Sequence, residues 1–218
     1  YNRADTFFGA PTNYAGLVDF WAIHDTDLDN LGAGRQAVPL DKEFRHRLLA
    51  RHRQYFPGAL RLTAEAGWIS DRNFLEQYFE NEWDEFKDQT TGIELKQLID
   101  NSSWSITADT RLNDFFTQTE WLPRGDHFLL GQSLLGDWLT WYEHSQAGYG
   151  RLRTASAPTD PVQAPFFSTL PWEVTSAGER LVTRQEIDLP LLAGPVKVVP
   201  YALGEFAHWG EDLTGNDL

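Results

Sequence analysis

The chain has 218 residues, 41% hydrophobic and 14% aromatic, with 18 basic against 32 acidic residues for a formal charge of −14. That balance repels nucleic acid, and no basic tract offsets it. Cysteine is absent, which removes disulfides, thiolate metal sites and Cys nucleophiles together.

No apolar run exceeds about five residues, far short of the roughly 20 that a membrane-crossing helix needs. A β-barrel stays open to such a chain, because its strands need only about 9–11 residues with one apolar face. The chain begins at Tyr1 without Met or a leader, and it ends at Asn216, Asp217 and Leu218 just after a strand-like run. Both ends read as cuts, so residues 1–218 are expected to be an internal stretch of a longer protein.

Nine strands are expected, near residues 15–26, 44–55, 59–69, 89–100, 103–116, 127–135, 138–152, 179–191 and 195–209. Period-two patterning supports them, since it sends alternate side chains to opposite faces of a sheet. In ALRLTAEAGW, Leu60, Leu62, Ala64, Ala66 and Trp68 oppose Arg61, Thr63 and Glu65. In SWSITADTR, Trp104, Ile106 and Ala108 oppose Ser105, Thr107 and Asp109. Arg45, Arg47, Arg51 and Arg53 share a face with Leu49, and Gln185, Ile187 and Leu189 oppose Arg184, Glu186 and Asp188.

The connections alternate between tight and long. Pro57-Gly58, Asn101-Ser102, Gly136-Asp137 and Ala193-Gly194 supply turn chemistry. The stretches near 27–43, 70–88, 117–126 and 153–178 are long and polar or proline-rich. In an up-and-down meander every second connection lies at the same end, so the tight turns gather at one end and the long loops at the other. Outer-membrane barrels have that asymmetry. Trp68 and Trp209 end strands at the long-loop end and Trp104 and Trp138 begin strands at the other, as two interfacial girdles require. The expected fold is therefore all-β: an open, curved sheet of about nine strands, part of a large antiparallel up-and-down transmembrane β-barrel.

Candidate chemistry is sparse. DTDLDN places Asp25, Asp27 and Asp29 at alternating positions, as oxygen ligands for a hard cation would be. Asn30 and Gln36 stand where an EF-hand loop needs Gly and Glu, so that motif fails, and a solvated acidic loop is the plainer reading. The segment Asp71 to Asp88 is dense in carboxylates and aromatics, but nothing fixes a glycosidase acid–base pair.

His24, His46, His52, His127, His144 and His208 show no helical zinc spacing and read as structural or interfacial. No G-x-S-x-G, P-loop or G-x-G-x-x-G occurs, and the lone Gly148 and Gly150 relieve crowding in a strand. The arginine stripe on 44–55 reads as a salt-bridge ladder with acidic neighbours, the alternative being a contact to anionic glycolipid groups. No catalytic, cofactor or metal residue is assigned, and the chain is not expected to be an enzyme.

Three long strings resemble a known family: Ser70 to Pro123, Asp126 to Arg153 and Val182 to Phe206. They are similar to the barrel domain of the LPS-assembly outer-membrane proteins, also called organic solvent tolerance proteins (LptD/OstA). His24 to Arg35 resembles the planctomycete-type members. The resemblance covers nearly the whole chain and lies in the order of long strings, not in a catalytic motif.

It implies a bacterial outer-membrane translocon that inserts lipopolysaccharide into the outer leaflet. It also implies a periplasmic jellyroll domain before the barrel, which this stretch lacks, a plug lipoprotein inside it, and periplasmic bridge proteins that deliver the lipid. The family's lateral exit gate joins the barrel's first and last strands, so no gate residue is assigned here. The competing readings are another outer-membrane barrel, such as a porin or adhesin scaffold, and a soluble carbohydrate-binding β-domain.

Overall fold

The computed structural model describes residues 1–210 apart from Phe8, residues 86–89, Thr159 and Val162. The end of the acidic loop, the first residue of the strand expected from 89, and Asn216, Asp217 and Leu218 lie outside the described residues.

Among the described residues, ten strands form one antiparallel sheet. They are β1 (Asn2–Phe7), β2 (Ala10–His24), β5 (Phe44–Phe56), β6 (Leu60–Ile69), β7 (Thr91–Ile99), β8 (Ser102–Thr110), β9 (Gln118–Leu134), β10 (Leu139–Arg153), β11 (Ser176–Asp188) and β14 (Tyr201–Trp209). Two small hairpins, β3 (Asp29–Asn30) with β4 (Gln36–Val38) and β12 (Leu191–Ala193) with β13 (Val196–Val198), sit in connections. Helices α1 (Phe74–Tyr78) and α2 (Glu80–Asp84) fill the loop after β6. Among the described residues, strand order follows chain order, and β1 and β14 are the two outermost strands of an open sheet.

This is the expected meander with one strand more. The addition is β1, a polar edge strand whose residues lack the alternation that marks the others. The long loop expected at 117–126 is a correction: β9 begins at Gln118, β8 ends at Thr110, and the connection is residues 111–117, most of which were expected to end the strand over 103–116. Within β9, Pro123 is a residue that cannot donate to a ladder. It lies at a bulge in the β9–β10 pairing, where the register shifts between Gly148 and Gly150, and a bulge is where a strand tolerates proline. The turn expected at Asn101-Ser102 falls one residue earlier, since Ile99 pairs with Ser102 and Asp100 takes a positive φ of 50°.

The last hairpin is continuous in register. Asp188 pairs with Tyr201 and Leu191 with Val198, with Leu189 N–H donating to Pro200 O between them. Pro190 and Pro200 have no N–H to give, and the ladder is interrupted at their level.

Pairing assigns the two faces. Arg51 lies opposite Glu65, Arg53 opposite Thr63, Thr63 opposite Glu94 and Lys96 opposite Ser105, all on one face. The other carries Leu62 beside Leu95, Leu95 beside Ile106, and Ala64 beside Ile93. The expected division of β6 therefore holds: Leu60, Leu62, Ala64, Ala66 and Trp68 share the apolar face, and Arg61, Thr63 and Glu65 the charged one. Among the described residues the other sheets are two-stranded hairpins only. On the apolar face Val18, Phe20, Ile106 and Phe206 are 63%, 60%, 50% and 64% exposed.

Trp209 departs from the expected girdle. It pairs with Arg180 on the charged face, and the guanidinium lies 4.5 Å from its ring centre. Trp68 and Trp104 do lie on the apolar face, near opposite ends, and the exposed Trp138 belongs to the turn before β10.

Candidate functional site: a loop cap and a two-faced sheet

The long connections meet at one end and fold into a cap over the charged face. Ile69, Phe74 and Leu75 form a buried cluster, and Trp21, Tyr78, Phe79, Trp83, Phe115 and Phe116 pack against it. Trp21 and Ile69 come from the charged face of the sheet, so α1 and α2 close over that side. Arg72 Nη2 donates to Ser156 O at 2.7 Å and Arg111 Nη1 to Thr154 O at 2.8 Å. Those bonds tie the loops after β6, β8 and β10 together.

Arg45 is the hub of this cap. Its Nη1 lies 2.5 Å from Asp29 Oδ1, and its Nε and Nη2 donate to the two Asp71 oxygens at 3.0 and 2.8 Å. Asp25 Oδ2 stands 3.7 Å away, and the Tyr78 hydroxyl donates to it. The carboxylates of Asp25 and Asp29 thus converge on a guanidinium in the place the sequence offered to a hard cation. Asp27 contributes its backbone N–H to Asp25 Oδ1. Among the described residues, no cluster of three or more His, Asp or Glu side chains is arranged to hold a metal ion. Burial pushes the Asp29 carboxyl above its usual range against the pull of Arg45, and burial raises Asp41 in the same loop.

The arginine stripe continues down the charged face as a ladder. Arg47 lies 3.0 Å from Glu82 and 3.4 Å from Asp19, with its guanidinium 4.4 Å from the Phe79 ring centre. Arg51 reaches Glu65 at 3.5 Å, and Arg61 reaches Glu94 at 3.1 Å. Below the cap, Thr63, Glu65, Glu94, Thr107 and Asp109 line a cavity of about 260 Å³. The acidic segment expected as a structured loop is α1 and α2, and its carboxylates serve these arginines: Glu76 binds Arg35 and Glu82 binds Arg47.

The apolar face carries polar residues toward both ends, and at mid-strand Ser145 and Thr183 pair through their hydroxyls at 2.9 Å. Toward the long loops, Arg151 and Glu120 pair at 2.5 Å. Toward the short turns, Trp104 Nε1 donates to Gln97 Oε1 and Trp141 Nε1 to Gln185 Oε1, each at 2.8 Å. His127 Nδ1 there lies 2.5 Å from Glu143 Oε2.

The six histidines scatter. His46 packs edge-on against Trp68 at 4.3 Å, and His144 stacks on Phe128 at 4.0 Å. His52 meets the Tyr1 hydroxyl at 2.6 Å, while His24 and His208 lie near Glu43 and Glu179. His127 has a richer environment than the sequence suggested, because its partners come from two other strands and leave no linear motif. Gly148 and Gly150 do relieve crowding: a Cβ at Gly148 would stand 3.0 Å from Pro123 O, and one at Gly150 would stand 3.2 Å from the Trp121 ring.

The fold and its faces define a class: an open, up-and-down, antiparallel all-β sheet with one apolar and one charged face. No protein-family model, curated protein or solved structure matches the chain.

Proposed function

We propose that this chain is a stretch of wall of an outer-membrane β-barrel, with the apolar face toward lipid and the charged face toward a polar lumen. The observation that carries the reading is a ten-strand sheet whose apolar face is open to its surroundings across β2, β8 and β14. A water-soluble protein rarely leaves an apolar patch larger than a few hundred Å² uncovered. In a bilayer the same face is solvated by acyl chains, and the antiparallel ladder satisfies the backbone. The free edges β1 and β14 then continue into neighbouring wall strands of a longer chain.

Within that class, the resemblance of Ser70 to Pro123, Asp126 to Arg153 and Val182 to Phe206 supports lipopolysaccharide insertion as the function of the whole protein. On this reading the protein resides in the bacterial outer membrane. Its partners are lipopolysaccharide, a plug lipoprotein in the lumen and periplasmic bridge proteins, and this stretch contributes wall and cap. The charged face with its guanidinium ladder suits a polar lumen, and the cap closes one end of it.

Two experiments test the two levels. The chain refolded with phosphatidylethanolamine–phosphatidylglycerol vesicles should float with them and resist extraction by alkaline carbonate; a chain left in the aqueous fraction as a folded monomer overturns the wall reading. Depleting the full-length protein from its host should remove newly made lipopolysaccharide from the cell surface. Undiminished surface lipopolysaccharide overturns the translocon reading and leaves a porin or adhesin scaffold.

A further inference from the structure

We propose that Ser102, His127 and Glu143 form a hydrolytic triad for the acyl ester of a membrane lipid, on the apolar face near its short-turn end. The assignment of lipid as substrate rests on the wall reading above. The triad itself rests on strand register and distance.

The register brings the three together. Ser102 pairs with Leu129, and Leu129 pairs with Glu143, so Ser102 and Glu143 flank β9 at one level. His127 is two residues from Leu129 on the same face, and its ring bridges the flanking strands. Glu143 Oε2 lies 2.5 Å from His127 Nδ1, and Ser102 Oγ lies 3.3 Å from His127 Nε2. The Glu143 side chain is only 8% exposed, while His127 is 48% exposed. A carboxylate on an apolar face is costly unless paired, and ionisable groups in such places mark function more often than packing.

The chemistry follows from the order of contacts. An ionised carboxylate only accepts hydrogen bonds, so Glu143 fixes the imidazole with its proton on Nδ1 and leaves the Nε2 lone pair toward the serine. Ser102 Oγ bonds to the ester carbonyl carbon as its proton passes to Nε2. The ester C–O bond then breaks, and the leaving alcohol takes that proton. Water attacks the acyl-serine with the same base, releasing a carboxylic acid and restoring Ser102. The adjacent Asn101 has a side-chain amide whose contact to Gln132 Oε1 is long at 3.5 Å, a donor that a developing oxyanion can recruit.

The placement selects the substrate class. The triad lies near the turn that begins β8, beside Trp104, the cross-strand partner of His127. At the rim of an apolar band, an aromatic residue of this kind sits at headgroup depth, where glycerol esters join their acyl chains. The expectation of no catalysis rested on the absence of short linear motifs, and a triad drawn from three strands leaves none.

The test uses the full chain folded in detergent micelles and a water-soluble alkyl fluorophosphonate, with the adduct mapped by peptide mass spectrometry. The expected result is a covalent adduct on Ser102 that Ser102→Ala abolishes. His127→Asn and Glu143→Gln should each slow its formation by roughly 10²–10⁴-fold while the sheet's circular dichroism is unchanged. A chain of purely structural hydrogen bonds gives no adduct, so a folded wild-type chain with Ser102 unlabelled overturns the triad. Labelling unaffected by His127→Asn overturns it as well. An adduct on Ser102 without fatty acid release from phosphatidylethanolamine vesicles overturns the lipid-ester assignment. The labelling needs no bilayer, so failure to float with vesicles counts against the wall reading alone.

Discussion

Arg45 and Asp71 meet in a two-point contact, Nε to Oδ2 at 3.0 Å and Nη2 to Oδ1 at 2.8 Å, with their side chains 1% and 2% exposed. Asp71 is the second residue of the loop after β6, and Arg45 lies at the start of β5, so this contact fastens the cap to the sheet. Removing one partner of a buried pair leaves a charge in a poorly solvated place. Arg45→Met strands both Asp29 and Asp71, and it should cost about 3–5 kcal/mol in urea unfolding. Protease should then cut within residues 70–85 first. A loss below about 1 kcal/mol would mean that the contact behaves like a solvent-screened surface bridge.

A second contact gives the cap a pH window. The Tyr78 hydroxyl donates to Asp25, and that bond holds the Asp25 carboxyl below its ordinary 3.8. Burial, and then the same bond, push the Tyr78 phenol from 10.0 up to about 12. The Asp25 contribution is therefore present above pH 3.8 and is lost as pH falls through the lower folded value. The Tyr78 contribution is complete below pH 10.0 and is lost as pH rises toward about 12. Tyr78→Phe should cost about 1.5–3 kcal/mol at neutral pH and remove the alkaline loss. An unchanged stability–pH curve in the variant would show that the bond contributes nothing.

Neighbouring positions on β6 separate the two faces. Ala64 lies beside Ile93 on the apolar face, whereas Thr63 lies opposite Glu94 and lines the acidic cavity. On the proposed lipid-facing reading, Ala64→Arg should lower stability in bilayers by about 2–4 kcal/mol, the cost of a midplane arginine facing hydrocarbon. Thr63→Arg places its guanidinium among carboxylates and should cost far less. Equal losses, or the reverse order measured by urea unfolding in vesicles, would refute the assignment of faces.

The features legible in the sequence were those set by local chemistry. Leu60, Leu62 and Ala64 alternating with Arg61 and Thr63 announced a two-faced strand, and Pro57-Gly58 announced the turn before it. β1 was hidden because NRADTF has no apolar alternation and forms by pairing with β2. The first half of β9 was hidden because Pro123 looks like a breaker until the bulge opposite Tyr149 is known. The cap was legible as an acidic loop, but its hub was not: Arg45 finds Asp29 and Asp71 across 16 and 26 residues. The proximity of Ser102, His127 and Glu143 depends on the register of three strands, which no local pattern in the chain encodes.

The most direct test of the central claim uses the absence of native cysteine, which makes any single introduced cysteine a unique labelling site. Nitroxide labels at Ile93, Leu95, Ile106 and Ala108 on the apolar face, and at Glu94, Lys96, Ser105 and Thr107 on the charged face, follow the pairing of β7 and β8. In reconstituted vesicles the apolar set should relax with oxygen, which concentrates in hydrocarbon. The charged set should relax with a water-soluble nickel chelate, and the preference should switch at every residue along both strands. Nickel access that is uniform on both faces, or a sheet whose apolar set is shielded from both reagents, would contradict a lipid-facing wall.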